Sequence, residues 1–358
     1  MSSSSNNYNN TYQSELTPEV REKMRKNLVY FAIVSIVMLF GGLISAYIVS
    51  AGDTFWVKYD LPQAFYISTT LIILSSIVLI IGIKWCQSKS NPGMLKVFVP
   101  LTFLLGIGFA YFRFKGYSQL FESGAYVTSK ITVTDGRYGS YFELKVDGKY
   151  MEVDGNDYLI GGKVISDKQK KEIGLFAKQL DRIGKDPKTP VHNYGKYMLL
   201  YKNQEVAYKN GKFYVQDSVE FTHVDLIRLE EFSWHIRDGR GDFFHKGKYG
   251  KDFTIFYKGK ELQYKDRTLM HDGVPLSTPL QLKMNSSSDT ATSYLYILTF
   301  LHLLHVLFTL LVMFRTTIRS FSGVLAVDNY LPIRTLGIFW HFLGILWLFL
   351  LLFLLFIH

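Results

Sequence analysis

The sequence predicts an all-α transmembrane bundle of five helices with an inserted, mostly-β soluble domain. Apolar residues are concentrated in five long runs, and a polar, lysine-rich stretch separates the third run from the fourth. Within that stretch, Asp-Gly and Asn-Gly pairs stand between alternating apolar residues, which is typical of β-hairpins. A composition of 48% hydrophobic and 20% charged residues is therefore the average of two unlike parts.

The five apolar runs are long enough to cross a membrane, because about 20 residues of helix cover a hydrocarbon core of roughly 30 Å. The predicted spans are residues 28–50, 64–83, 97–112, 294–314 and 336–357. The third span is short and contains Pro100, so it needs its flanking residues to cross. Small residues and hydroxyls in the first two spans favour close helix packing and hydrogen bonds between helices.

The runs divide the chain into four predicted segments. Residues 1–26 form a basic cytoplasmic N-terminus whose first 13 residues are rich in Ser and Asn and are predicted to be disordered. Residues 27–128 hold helices one to three, residues 129–286 form the β-rich insertion, and residues 287–358 hold helices four and five.

The charges of the short loops predict the orientation. Basic residues dominate before the first span, between spans two and three, and between spans four and five, which places these loops in the cytoplasm. The insertion and the C-terminus then lie outside. The net charge of +10 does not indicate a nucleic-acid partner, because part of the excess lies at these helix ends. The single cysteine, Cys86, excludes an intrachain disulfide.

The insertion partly repeats itself around three turn signals, Asp147-Gly148, Asn210-Gly211 and Lys258-Gly259. Each predicts a β-hairpin. One helix is predicted, from a cap at Ser166 or Asp167 to about Ile183. Its apolar face comprises Ile173, Phe176, Leu180 and Ile183.

Histidines are the main candidates for chemistry. Those of the insertion lack ligand spacing and are interpreted as surface or core residues: His192, His223, His235, His245 and His271. In the membrane, His302 and His305 lie one helical turn apart and His341 lies on the last span. These three imidazoles could ligate haem iron or copper, or they could hydrogen-bond neighbouring helices and lipid headgroups.

Five short motifs occur in the order seen in one known family. They are Phe-Gly-Gly at 40–42 with Ala-Tyr at 46–47, Leu-Pro at 61–62 with Leu-Ser-Ser at 74–76, Leu-Gly at 105–106 with Gly-Tyr-Ser-Gln-Leu at 116–120, His-Leu-Leu-His-Val at 302–306, and Trp-His-Phe at 340–342 with Trp-Leu-Phe at 347–349. In these blocks, which cover about half the chain, the sequence resembles subunit III of the haem-copper (cytochrome c) oxidases. The resemblance is to a five-helix form that lacks the first two helices of the seven-helix version.

The resemblance implies a non-catalytic subunit of an oxidase that reduces oxygen and pumps protons in a bacterial inner membrane. It implies no cofactor in this chain except bound phospholipid, with haem and copper in partner subunits I and II. The positions that it makes structural or lipid-facing are Gly41, Gly42, Tyr47, His302, His305, Trp340, His341 and Trp347. We expect the periplasmic insertion to dock a cytochrome c domain or another respiratory complex.

The chain departs from the family's pattern at three membrane positions. Ile36 and Gly344 stand where the family often has carboxylates, and Arg113 stands where it has a glutamine. The insertion has no counterpart in the family. Two alternatives remain open: a b-type membrane cytochrome that uses His302, His305 and His341 as haem ligands, and a membrane-anchored binding or sensor protein.

Overall fold

The computed structural model describes residues 18–89, 92–131, 141–184, 189–215, 218–321 and 331–357. The predicted disordered stretch at 1–13 lies outside them. Within the described residues the α-helices are α1 Pro18–Asp53, α2 Gln63–Lys89, α3 Leu95–Glu122, α4 Asp167–Ala177, α5 His223–Asp238, α6 Thr278–Ser286, α7 Thr290–Phe321 and α8 Leu331–Phe356.

Five of the helices in this described part, α1, α2, α3, α7 and α8, are long and apolar enough to span a membrane. A helical bundle with a separate β-rich region is therefore confirmed. The third span is longer than predicted, because α3 continues through Pro100 and runs for 28 residues to Glu122. The predicted end at residue 112 is thus wrong, and Arg113 belongs to the interior of this helix.

The chain forms two compact units. The first, here called the bundle unit, comprises the described residues of 1–49, 61–119 and 294–358. The second, the β-rich unit, comprises those of 50–60 and 120–293. The loop between the first two spans thus belongs to the β-rich unit. The predicted boundaries of the insertion, 129–286, left this loop out.

The described strands of the β-rich unit form three antiparallel sheets. They are β1 Phe55–Tyr59, β2 Phe142–Val146, β3 Lys149–Asp154, β4 Asp157–Ile160, β5 Lys163–Val164, β6 Tyr197–Tyr201, β7 Gln204–Lys209, β8 Lys212–Val215, β9 Val219–Glu220, β10 Phe253–Tyr257, β11 Lys260–Glu261, β12 Gln263–Lys265, β13 Thr268–His271 and β14 Val274–Pro275. One sheet has eight strands in the order β5-β4-β3-β2-β6-β7-β8-β9, and the others are β1-β10-β11 and β12-β13-β14.

The strand order shows that one structural motif occurs three times. Strands β2–β5 precede α4, strands β6–β9 precede α5, and strands β10–β14 precede α6. In the third copy the second strand is split at the buried Leu262. Ser166 and Thr222 cap the first two helices with reciprocal capping boxes, which satisfy otherwise free N–H groups. Ser277 occupies the same position before α6.

The predicted hairpins are confirmed at all three turns. Asp147 and Gly148 join β2 to β3 with φ of 51° and 76°, the left-handed conformation that a type I′ turn requires. The pairs at 210–211 and 258–259 also have positive φ at both residues. The single predicted helix is wrong in number, because α5 and α6 are also helical.

The core of the first two copies lies between the eight-stranded sheet and helices α4 and α5. Ile173, Phe176 and Leu180 are buried there, as predicted. Ile183 is not, because α4 ends at Ala177 and a short 3-10 turn to Leu180 follows, so the chain leaves the helical face before residue 183.

The third copy is completed by the loop between the first two spans. Strand β1 pairs with β10 along its whole length, from Phe55 opposite Tyr257 to Tyr59 opposite Phe253. Trp56 and Val57 are buried in this pairing. In the same way β2 pairs with β6, so the first strand of each copy has an antiparallel partner.

Candidate functional site

His302 joins two helices of the bundle unit. Its side chain on α7 is fully buried, and its Nε2 lies 2.9 Å from the carbonyl oxygen of Leu343 on α8. Because a carbonyl only accepts, Nε2 carries the proton in this hydrogen bond. The ring packs against Trp347 and Phe109, with centroids 5.4 and 6.0 Å away. One nitrogen of this imidazole is therefore committed to helix packing.

The other two membrane histidines have separate surroundings. The Nδ1 of His305 lies 2.7 Å from the carbonyl oxygen of Leu301 on its own helix, and its ring lies 6.2 Å from that of Phe40. His341 is half-buried on α8. Among the described residues, no group of three or more His, Cys, Asp or Glu side chains is placed to hold a metal ion.

The two motif tryptophans of α8 hydrogen-bond to hydroxyls of α2. Trp340 Nε1 donates to Ser75 Oγ at 3.0 Å, and Trp347 Nε1 donates to Thr69 Oγ1 at 2.8 Å. All four side chains are buried, so each bond satisfies an indole N–H that burial would otherwise penalise. The prediction that hydroxyls of the second span bond across a helix interface is confirmed.

The glycines of the spans divide into two groups. A Cβ at Gly106 would lie 2.6 Å from Leu310 and 2.9 Å from Trp340, so close helix contact needs glycine there. At Gly41 and Gly42, by contrast, a Cβ would meet no atom within 4 Å, so no described helix of the bundle unit makes a close contact there. Gly41 and Gly42 lie on an exposed face of α1, whereas Gly106 of α3 lies at a close contact between helices.

Tyr47 is a motif residue of α1 that is fully buried in the bundle unit. Its ring makes edge contacts with Phe353 of α8 and Tyr294 of α7, with centroids 4.9 and 5.6 Å away. Edge-to-face pairs of this kind are favourable beyond the area that they bury. Tyr47 therefore packs α1 against α7 and α8.

Arg113 is a fully buried cation in the same unit. Its guanidinium carbon lies 3.9 Å from the ring centroid of Trp347 and 4.1 Å from that of Phe65. Its Nη2 lies 3.3 Å from Tyr117 Oη and 3.4 Å from the carbonyl oxygen of Thr299. Within the described chain, Nε and Nη1 have no hydrogen-bond partner. The faces of aromatic rings, and not a carboxylate, thus stabilise the positive charge of Arg113.

The β-rich unit contains a buried cluster that the sequence did not indicate. Tyr59, at the end of β1, shares a hydrogen bond with Nδ1 of His245, whose Nε2 lies 4.0 Å from Oδ2 of Asp289. His245 and Asp289 are fully buried, and Tyr59 is 4% exposed. Tyr59 and His245 are 186 residues apart, so local spacing carries no signal of their contact.

Asp289 also caps the fourth span. Its Oδ1 accepts a hydrogen bond from the N–H of Thr292 at 3.1 Å, and its own N–H donates to the carbonyl oxygen of Ser129 at 2.6 Å. A side-chain oxygen in this place satisfies one of the free N–H groups at the start of α7.

Burial sets the protonation of the pair. Removal from water raises the pKa of the Asp289 carboxyl to about 7, against the opposing effect of its hydrogen bonds with Thr292. Burial lowers the pKa of His245 to about 3. Both groups are therefore neutral between about pH 3 and pH 7, and the pair is not an ion pair in that range.

We predict that Asp289→Asn raises the stability of the chain much more at pH 8 than at pH 5. In the folded chain the pKa of Asp289 is raised above its unfolded value, so the wild type loses stability as the pH rises from about 4 to 7. The full loss is at most about 4 kcal/mol. Asparagine has no carboxyl group to ionise, so it avoids this loss, and its side-chain oxygen can still cap α7. The opposite contribution of His245 is common to both proteins and cancels in their difference.

Thermal unfolding in an uncharged detergent at pH 5 and pH 8 measures this difference. Asp289→Ala is the matched variant, because it also removes the charge but loses the cap, which costs about 1 kcal/mol at either pH. Its stability relative to wild type should therefore change with pH as that of Asp289→Asn does. Equal differences from wild type at the two pH values would contradict the prediction.

No family model, curated protein or solved structure matches this chain. The resemblance to the oxidase subunit therefore rests on the residues of the five motifs alone.

Proposed function

We propose that this chain is a non-catalytic membrane subunit of a haem-copper oxidase, similar to subunit III, with subunits I and II as its partners. The observation that carries the proposal is the use of the motif residues: His302, Trp340 and Trp347 hydrogen-bond one helix of the bundle unit to another. This is the behaviour of a packing subunit, in which haem and copper belong to neighbouring chains. The oxidase as a whole reduces oxygen and pumps protons.

The positions that depart from the family's pattern fit a subunit without an intramembrane carboxylate. Ile36 is an apolar residue with 7% exposure. A Cβ at Gly344 would lie 3.3 Å from Ser76 Oγ, so helix α8 packs tightly against α2 at this position. In this proposal the chain itself carries no proton through the membrane. It supports subunit I and orders phospholipid along its exposed helix faces.

The orientation follows from the loop charges. In this proposal the protein lies in a bacterial inner membrane, with its N-terminus in the cytoplasm and the β-rich unit in the periplasm. That unit would then dock a cytochrome c domain or another respiratory complex near the point of electron entry. Replacing residues 141–238 by a short Gly/Ser linker should slow electron transfer from a soluble cytochrome c to the purified oxidase. An unchanged steady-state rate would remove the docking role.

The sharpest test of the non-catalytic role is a reduced-minus-oxidised spectrum of the chain separated from its companions. We expect no haem band, and we expect His302→Gln to alter thermal stability without altering the spectrum. The b-type cytochrome hypothesis expects the reverse: a haem band in the separated wild-type chain that is lost in His302→Gln. A stoichiometric haem band would overturn the proposal.

A further inference from the structure

A pocket of about 560 Å³ lies within the β-rich unit, between the segment 121–130 and helix α5. This volume is within the range of small-molecule sites. Four aromatic side chains line it: Phe121, Tyr126, Trp234 and Phe244. The remaining lining includes the hydroxyls of Thr128, Ser129 and Ser288, two cations and one acid.

Arg240 is the buried polar group of this pocket. It is 2% exposed, and its guanidinium carbon lies 4.4 Å from the ring centroid of Trp234 and 4.7 Å from that of Tyr126. Its Nε donates to Oδ2 of Asp238 at 2.7 Å. Its Nη2 has no hydrogen-bond partner among the described residues. Burying an N–H without a partner is costly, so this nitrogen is suited to an acceptor from outside the chain.

The charge around Arg240 is positive. Lys246 Nζ also donates to Asp238, at 2.6 Å, so two cations share one carboxylate. Burial disfavours the ionised carboxyl, but the hydrogen bonds from Lys246 and Arg240 outweigh it and lower the pKa of Asp238. Burial, reinforced by Arg240, lowers the pKa of the nearby His235 to about 3, so that ring is neutral.

Two further charges, Lys130 and Glu231, line the pocket and offset each other. The net charge at the pocket is therefore about +1, because Asp238 neutralises only one of the two cations Arg240 and Lys246.

We propose that this pocket binds a phosphate-bearing amphiphile. The phosphate accepts hydrogen bonds from Nη2 of Arg240 and from the neighbouring hydroxyls, and the apolar chain lies against the aromatic rings. A guanidinium with a free edge matches phosphate oxygens in geometry and charge. An inorganic phosphate ion would leave the aromatic surface unused, whereas an uncharged lipid would leave Nη2 unpaired.

Three probes separate these contributions: octyl phosphate, inorganic phosphate and octanol. Each is titrated by calorimetry into the full chain in an uncharged detergent. We expect octyl phosphate to bind with one site per chain and at least tenfold more tightly than either other probe. Equal affinity for inorganic phosphate, which would mean a free-phosphate site, overturns the proposal. So does equal affinity for octanol, or partition of octyl phosphate without saturation.

The variants test the residues. Arg240→Met should weaken octyl phosphate binding at least tenfold. Arg228→Met is the matched control, because Arg228 lies on α5, which ends just before Arg240, but stacks on Tyr141 at 4.3 Å and does not line the pocket. Should Arg240→Met fail to fold, Lys130→Gln changes an exposed side chain and is expected to weaken binding at least threefold. The assignment is overturned if Lys130→Gln leaves the affinity for octyl phosphate unchanged. It is also overturned if Arg228→Met lowers that affinity as much as Arg240→Met does.

Discussion

Gly241→Ala is expected to lower the stability of the β-rich unit by more than about 3 kcal/mol, because the new Cβ has no space. It would lie 1.7 Å from the carbonyl oxygen of Gly155 and 2.7 Å from Cα of Asn156. Both obstacles are backbone, so no side-chain rotation relieves the clash. Two chain segments must separate instead.

The two segments that meet at Gly241 connect the first copy of the repeated motif to the third. The N–H of Gly241 donates to Asn156 Oδ1 at 3.1 Å, and the N–H of Asp242 donates to the carbonyl oxygen of Gly155 at 2.7 Å. The buried Asp242 carboxylate also pairs with Tyr264 and Arg267. Separation at Gly241 would therefore expose this carboxylate and break its hydrogen bonds together.

Thermal unfolding followed by circular dichroism, together with hydrogen exchange of the strands, measures the effect of Gly241→Ala. The control is Gly174→Ala in α4, where a Cβ meets nothing within 4 Å. There alanine should be neutral or stabilise by about 0.5–1 kcal/mol, because glycine costs that much in a helix. If both variants unfold like the wild type, the contact at Gly241 is absent in solution.

The second large effect is expected from Trp347→Ala in the bundle unit. Trp347 is fully buried, and its loss should cost about 3–5 kcal/mol because the surrounding helices cannot close the cavity. It also removes the hydrogen bond to Thr69 and the aromatic face nearest to the guanidinium of Arg113. We expect a large fall in the unfolding temperature of the chain in detergent.

Phe349→Ala provides the comparison within α8. Phe349 is 53% exposed, so removing its ring leaves no cavity inside the bundle unit and should have little effect on the unfolding temperature of the separate chain. Trp347→Phe should lie between the two, because it keeps an aromatic body but loses the indole donor. Equal effects of Trp347→Ala and Phe349→Ala would contradict the packing role of the motif tryptophan.

The features that the sequence predicted correctly are local. The spans depend on continuous apolar runs, and the hairpins depend on dipeptides such as Asp147-Gly148 that adopt positive φ. The helix α5 was missed, although Thr222 and Asp225 have the spacing of a capping box and could have indicated it. The charged residues within α5 obscured the apolar face that carries Leu229 and Ile236.

The features that the sequence did not predict depend on contacts between distant segments. Strand β1 forms because β10 offers it a partner about 200 residues later in the chain. The neighbours of Tyr59, His245 and Asp289 likewise come from three different segments, and only the folded unit brings them together. In the bundle unit, the motifs include Trp340, Trp347 and Ser75, whereas the pairing of these residues and the role of Thr69 are visible only in the structure.

Purification of the tagged chain in a mild detergent, with identification of the proteins that accompany it, tests the central claim most directly. The account predicts near-stoichiometric recovery of polypeptides that carry haem and copper, together with oxygen-reducing activity in the intact complex. Recovery of this chain without any oxygen reductase, from cells that are actively respiring oxygen, would contradict it.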